Sequence, residues 1–253
     1  MIDYNDPKRN RRSAKYDETN TFKLFQQLGF RVIRKTNITV NELRKLLTKY
    51  SKHSLLDKVD SLFVVISGHG GSSNDENNNS VIELADDQVT CSEVINYFSA
   101  ENCPSMAGKP KLFIFQACRG LINQRAREHN QNIDNPLMDL DIDKLNNKYA
   151  KVKDKVVRNF SDIFVVHSTL PNHPSYRNIK YGSYFIQILC DVFQNYACRY
   201  SVQDLLLLID ARMAKLRFGN DINCQTITVK TMGVNKQLYL NPVVNNKPDW
   251  ALE

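Results

Sequence analysis

Two hydrophobic patterns alternate along the chain. Leu62-Phe63-Val64-Val65-Ile66, Leu112-Phe113-Ile114-Phe115 and Ile163-Phe164-Val165-Val166 are short unbroken apolar runs with polar flanks. Such runs predict strands buried on both faces. Between them the apolar positions move to helical spacing. Phe22, Phe25 and Leu28 predict a helix over Thr19–Leu28, closed by Gly29. Leu43, Leu46 and Leu47 predict a helix over Thr39–Tyr50, and Thr39 with Glu42 three residues later has the form of a capping box. Further helices are expected over Ser92–Phe98, Ser183–Tyr196 and Val202–Phe218. Additional strands are expected at Phe30–Arg34, as a hairpin within Val81–Val89, and near Gln225–Val229 and Gln237–Leu240. Strands alternating with helices predict an α/β architecture, with an open, mostly parallel sheet covered by helices.

The pattern breaks once. From Leu121 to Asn159 the chain is rich in Asn, Asp, Lys and Arg and poor in aromatics, which reads as an exposed linker. The expected organisation is a larger part over 1–124, a linker over 125–159 and a smaller part over 160–253.

Composition narrows the class. The 253 residues are 42% hydrophobic and 24% charged, enough apolar material for one sizeable core and against disorder of the whole chain. The longest apolar run, Leu205–Ile209, lies between Asp204 and Asp210 and is far short of the roughly 18 residues a membrane span needs. No membrane association is expected, and Met1–Asp6 has no apolar stretch of the secretory kind. The net charge of +7 first suggests nucleic acid. The basic clusters, at Lys8–Arg12 and between Arg125 and Arg158, lack interleaved aromatic rings, so a basic surface with no nucleic-acid partner is expected. The six cysteines, at 91, 103, 118, 190, 198 and 224, form no C-x-x-C pair. Free thiols in a reducing, cytoplasmic setting are expected, with no metal and no cofactor.

Two of the buried strands end in unusual loops. One runs into Ser67-Gly68-His69-Gly70-Gly71 and the other into Gln116-Ala117-Cys118-Arg119-Gly120. In open parallel sheets ligands gather at the carboxyl ends of strands. A thiol and an imidazole at two such ends could face one crevice, with glycines allowing close backbone approach. A cysteine nucleophile needs that set: the thiol, a proton-handling His, and N–H donors for a developing oxyanion.

The pentapeptide Gln116-Ala117-Cys118-Arg119-Gly120, with His69 49 positions upstream, resembles the caspase signature. The likeness extends to Gly108-Lys109-Pro110-Lys111, to Ser175-Tyr176-Arg177-Asn178 followed by Gly182–Gln187, and to Lys236–Leu240, covering about Arg11 to Leu240. The resemblance implies a caspase-like sheet of about six strands. It implies a cysteine endopeptidase that cleaves proteins after an exposed aspartate in programmed cell death. Cys118 would attack, His69 would move protons, and the N–H groups of Gly70 and Cys118 would hold the oxyanion. Arg177, Gln116 and Arg11 would take the substrate carboxylate, with Arg9 and Arg12 close enough to replace Arg11. Ser175, Tyr176 and Tyr184 would line the substrate site. The family matures by cleavage after aspartate in the linker, where Asp134, Asp141 and Asp143 are candidates. It further implies a zymogen, and a homodimer of large and small subunit pairs.

Three departures stand out. No apolar strand precedes Arg11, where the family begins its domain. Gly68 stands where most relatives carry Ser, and Ser13 where Gly is usual. No adaptor-binding segment is expected, which suggests an effector-type chain; an initiator reduced to its protease portion would look the same. The departures keep a second expectation alive: a catalytically impaired homologue that modulates an active caspase by pairing with it.

Overall fold

The computed structural model describes residues 11, 13–72, 79–125 and 157–241. Six helices are described: α1 (Ala14–Gln27), α2 (Val40–Ser51), α3 (Cys91–Asn96), α4 (Tyr184–Tyr196), α5 (Val202–Met213) and α6 (Gly219–Ile222). The strands are β1 (Leu62–Ser67), β2 (His69–Ser72), β3 (Ser80–Glu83), β4 (Gln88–Thr90), β5 (Lys111–Gln116) and β6 (Gln124–Arg125). They continue with β7 (Ile163–His167), β8 (Arg177–Asn178), β9 (Gly182–Ser183), β10 (Asn223–Cys224) and β11 (Thr228–Met232).

The central sheet has the order β1-β5-β7-β11. Its first three strands run parallel and β11 is antiparallel to β7. β5 and β7, from opposite sides of the linker, are neighbours, so both parts of the chain build one sheet. The fold is α/β and mostly parallel, as expected. The described residues give this sheet four strands, short of about six.

Side-chain alternation along the strands sorts the core into two halves. Leu112, Ile114, Phe164 and Val166 face α1, α4 and α5 with Leu24, Phe25, Phe185, Leu189 and Leu205. Phe113, Phe115, Ile163 and Val165 face the other way, toward Val40, Leu43, Leu47 and Val94 of α2 and α3. Helices on both faces are why β5 is buried at every position. Each such Phe or Leu contributes about 1.5–3 kcal/mol by leaving water.

β1 differs: all six of its residues are only half-buried, because it forms an edge of the sheet among the described residues. The expected strand Phe30–Arg34 is not formed. Phe30 instead packs edge-on against Phe63 and Phe25, at centroid distances of 4.8 and 5.2 Å. Alternating apolar residues make a strand only where a neighbour offers a hydrogen-bonding ladder. Residues 30–34 have none among the described residues, so they cover the core with side chains alone.

Other expectations shift in detail. The first helix begins at Ala14, five residues before the apolar pattern, because Asp17 is a buried polar residue within it. The cap of α2 is as expected: Thr39 accepts from the Glu42 N–H while the Glu42 carboxylate accepts from the Thr39 N–H. α5 stops at Met213, not Phe218. The last core strand is Thr228–Met232 rather than Gln225–Val229, and Gln237–Leu240 forms no strand. The Leu238 carbonyl instead accepts the Val202 N–H at 2.7 Å, at the start of α5. The hairpin near residue 81 gains a third strand, β2, so His69 lies at the start of a strand rather than in an open loop. Most of the linker, including Asp134, Asp141 and Asp143, lies outside the described residues. Where the linker begins, Gln124 and Arg125 pair with Cys224 and Asn223.

Candidate active site

Ser67 and Gln116 end β1 and β5 as direct partners across the parallel ladder. The Gly68 N–H extends that ladder by donating to the Gln116 carbonyl at 3.1 Å. His69 and Cys118 each follow two residues beyond this last pair, at the same end of two neighbouring strands. Gly70 shows how tightly the two loops meet. A Cβ there would lie 2.5 Å from the Val81 carbonyl oxygen and 2.8 Å from both Ala117 Cβ and the Cys118 carbonyl oxygen. Gly68 is equally constrained, with a Cβ falling 2.7 Å from the Glu83 carbonyl oxygen and from Ile82 Cγ2. Only hydrogen fits at Gly68 in this arrangement.

The loop at 168–176 closes the other side. The Arg119 N–H donates to the His173 carbonyl at 2.9 Å and the Asn172 N–H returns to the Arg119 carbonyl at 3.0 Å. The Arg119 guanidinium does not face substrate. It donates to Ser80 Oγ at 2.6 Å and the Thr169 carbonyl at 3.2 Å, and burial holds its pKa below the ordinary arginine value. The Cys118 thiol meets Ser175, whose N–H reaches Sγ at 3.4 Å. All six cysteines are free thiols. Burial pushes the Cys91 and Cys190 thiols up to about 12, which suppresses the thiolate at both.

Of the expected carboxylate-binding residues, Gln116 shares Ser175 with the Cys118 thiol. Arg11 is 3% exposed, and its Nη1 donates to Ser67 Oγ at 3.2 Å. Arg9 is outside the described residues, as is Arg12. Gln116 Nε2 donates to Ser175 Oγ at 2.9 Å. Arg177, exposed, begins the short hairpin β8–β9, opposite Ser183. Tyr176 and Tyr184 flank one ring, Phe218, at centroid distances of 4.4 and 4.8 Å. The Tyr176 hydroxyl donates to Asn123 Oδ1 at 2.7 Å.

Four contributors were not foreseen. Ser67 holds Arg11. Asp17 accepts the Ser183 N–H at 2.7 Å and sits near Arg11 and Arg177; burial raises its pKa, and the Ser183 hydrogen bonds and the two arginines oppose that rise. Gln225, 1% exposed, accepts the Tyr176 N–H at 2.7 Å and donates to the Ser168 carbonyl at 2.6 Å. Phe218, predicted by its spacing to end a helix, lies beyond α5. Ser67 alone had a signal in sequence, as a polar residue closing an apolar strand. The other three act across the fold.

Fold and site together describe an open α/β sheet whose adjacent strand ends carry a cysteine and a histidine beside buried and exposed arginines. Comparison with known proteins gives this class its family. The family model for the caspase domain matches residues 1–239. The chain belongs to the caspase-domain family. It is 29% identical over 242 residues to caspase b of Danio rerio, covering 95% of this chain and 55% of that protein. It is 31% identical over 200 residues to caspase-3 of Mus musculus, covering 78% of this chain and 63% of that protein. The chain thus spans roughly half to two-thirds of the curated relatives' length. Caspase-1 from Spodoptera frugiperda has the same fold, with a TM-score of 0.74 at 21% identity, covering 94% of this chain and 86% of that one. Among the described residues no helix is long and apolar enough to cross a membrane.

Proposed function

We propose that this chain is a caspase-type cysteine endopeptidase that cleaves proteins after aspartate and promotes apoptosis in the cytoplasm. One observation carries the reading: Ser175 touches the Cys118 thiol with its N–H and the Gln116 amide with its hydroxyl. A nucleophile and a polar pocket suited to a small anionic side chain are therefore one residue apart. Arginine forks suit a carboxylate because they offer paired donors. Arg11 and Arg177 supply them from opposite parts of the chain, with Gln116 and Ser175 between.

In this reading the Cys118 thiolate attacks the scissile carbonyl carbon. The C–N bond breaks as His69 gives the leaving amine its proton. His69 then takes a proton from water, which attacks the thioester carbonyl and releases Cys118. The N–H groups of Gly70 and Cys118 hold the oxyanion; losing one such donor costs about 3–4 kcal/mol of transition-state stabilisation. Tyr176 and Tyr184 flank the neighbouring residue of the substrate. Linker cleavage frees the ends on either side of the site, and two copies pair. An apolar groove at the β11 edge supports pairing: it is lined by Leu206, Leu207, Ile227 and Val229, with Leu207 70% exposed. Hydrolysis of a peptide carrying aspartate before a reporter amide tests the enzyme reading, and Cys118→Ala should abolish it. A linker-cleaved wild-type chain with no such activity would reject it.

Among the described residues β1 is an edge strand, half-buried throughout, which favours a second reading, a homologue that modulates an active caspase by pairing. That reading requires co-purification with the active caspase and a change in its rate that survives Cys118→Ala. A change that vanishes in this variant would rule it out.

A further inference from the structure

Gln225 lies outside the catalytic loops, just before β11, and its amide is spent entirely inside the site. Oε1 accepts the Tyr176 N–H at 2.7 Å, and Nε2 donates to the Ser168 carbonyl at 2.6 Å and to Ser175 Oγ at 3.3 Å. Ser175 Oγ thus receives N–H groups from two amides, Gln225 and Gln116, and keeps its own proton to donate. Next to it Gln116 Oε1 is buried with no hydrogen-bond partner. A buried unpaired acceptor costs about 1–3 kcal/mol. A half-turn of the Gln116 carboxamide lets Ser175 donate to Oε1 and leaves Nε2 as the unpaired group, a donor that a substrate carboxylate can satisfy.

We propose that Gln225 is a positioning residue that sets the Gln116 amide, through the Ser175 hydroxyl, so that Nε2 donates to the aspartate of the substrate. Gln225 touches no substrate atom. Its N–H occupies the lone pair of Ser175 that faces it, so the Ser175 proton points to Gln116. With Oε1 satisfied, Gln116 can offer only N–H groups to the pocket. A carboxylate is accepted and a carboxamide gains less. The preference for aspartate over asparagine therefore depends on a residue in the smaller part of the chain.

The proposal rests on the protease reading, and direct binding separates the two. In the Cys118→Ala full chain, the affinity of an N-terminally labelled peptide ending in aspartyl amide is measured beside its asparaginyl amide twin. Gln225→Glu keeps the acceptor for Tyr176 but presents an oxygen to Ser175, which turns the Ser175 proton away from Gln116. The expected result is a rise of about 10- to 100-fold in Kd for the aspartyl peptide, the loss of one hydrogen bond to a charged group. The aspartyl/asparaginyl ratio should narrow in step. Ser175→Ala should give the same loss, and the double variant no more than either single. Should Gln225→Glu not fold, Gln225→Met completes the same cycle. An aspartyl Kd within about twofold of the parent, additive single losses, or no binding by the parent overturns the proposal. Binding with these effects beside a wild-type chain that hydrolyses nothing would reject the protease reading and leave this one standing.

Discussion

His167 should make this protein acid-sensitive well above the pH at which carboxylates titrate. It ends β7, on the same face as Ile163 and Val165, and stacks on Phe115 at a centroid distance of 5.3 Å. Burial lowers its pKa from 6.5 to about 3, with the Arg119 and Lys230 charges adding to the effect. A depressed pKa means that the unfolded chain binds the proton more readily than the native one. Stability is therefore fully present above pH 6.5 and falls as the pH drops toward 3. At 1.36 kcal/mol per pH unit the whole window is worth on the order of 5 kcal/mol, and the interval from pH 7 to pH 4 about 3 kcal/mol. That is a large share of the about 5–15 kcal/mol that holds a domain together. His167→Phe keeps an aromatic ring against Phe115 and removes the titration. Urea denaturation at pH 7 and pH 4 should show the wild type losing about 3 kcal/mol more than the variant. All other groups titrate in both proteins and cancel. Equal losses in the two would refute the assignment of a buried neutral imidazole.

Gly70→Ala places a methyl group against the Val81 and Cys118 carbonyls, so the two loops must separate. It should lower stability by about 1–3 kcal/mol in thermal unfolding and abolish reporter hydrolysis; an active, fully stable variant would show that the loops are not in contact. Asp17 has a pKa raised by burial, so the native state holds its proton more tightly than the unfolded one. Its stability contribution is full below the unfolded value near 3.8 and is lost as the pH rises through the native value. Asp17→Asn keeps an acceptor for the Ser183 N–H without that loss, and should match or exceed the wild type in urea midpoint at pH 8. A clearly lower midpoint would mean that the Asp17 charge near Arg11 and Arg177 outweighs its burial.

Much of this is written locally. The runs at Leu62–Ile66, Leu112–Phe115 and Ile163–Val166 are strands within a residue or two at each end. Thr39 and Glu42 cap α2 as their spacing dictates. Where local pattern and structure differ, a distant partner decides the outcome. Phe30–Arg34 alternates like a strand, yet packs by side chains because no described neighbour offers it a ladder. The start of α1 is hidden by Asp17, whose buried carboxylate is met by the Ser183 N–H, 166 positions away. Phe218 leaves α5 to bridge Asn223 and meet Tyr176 and Tyr184.

The sequence by itself determined which segments become the inner strands, that a histidine and a cysteine follow two of them, and which family's order the motifs keep. Hydrophobic spacing and turn residues act over a few positions, so a short window of sequence contains them. The tertiary structure alone decided that Ser67 would hold Arg11, that Gly68 and Gly70 admit no side chain, and that Gln225 would donate to Ser175. Each is a choice of partner for a buried polar or backbone group. Such a group is satisfied by whatever the fold brings within about 3 Å, not by its neighbours in the chain.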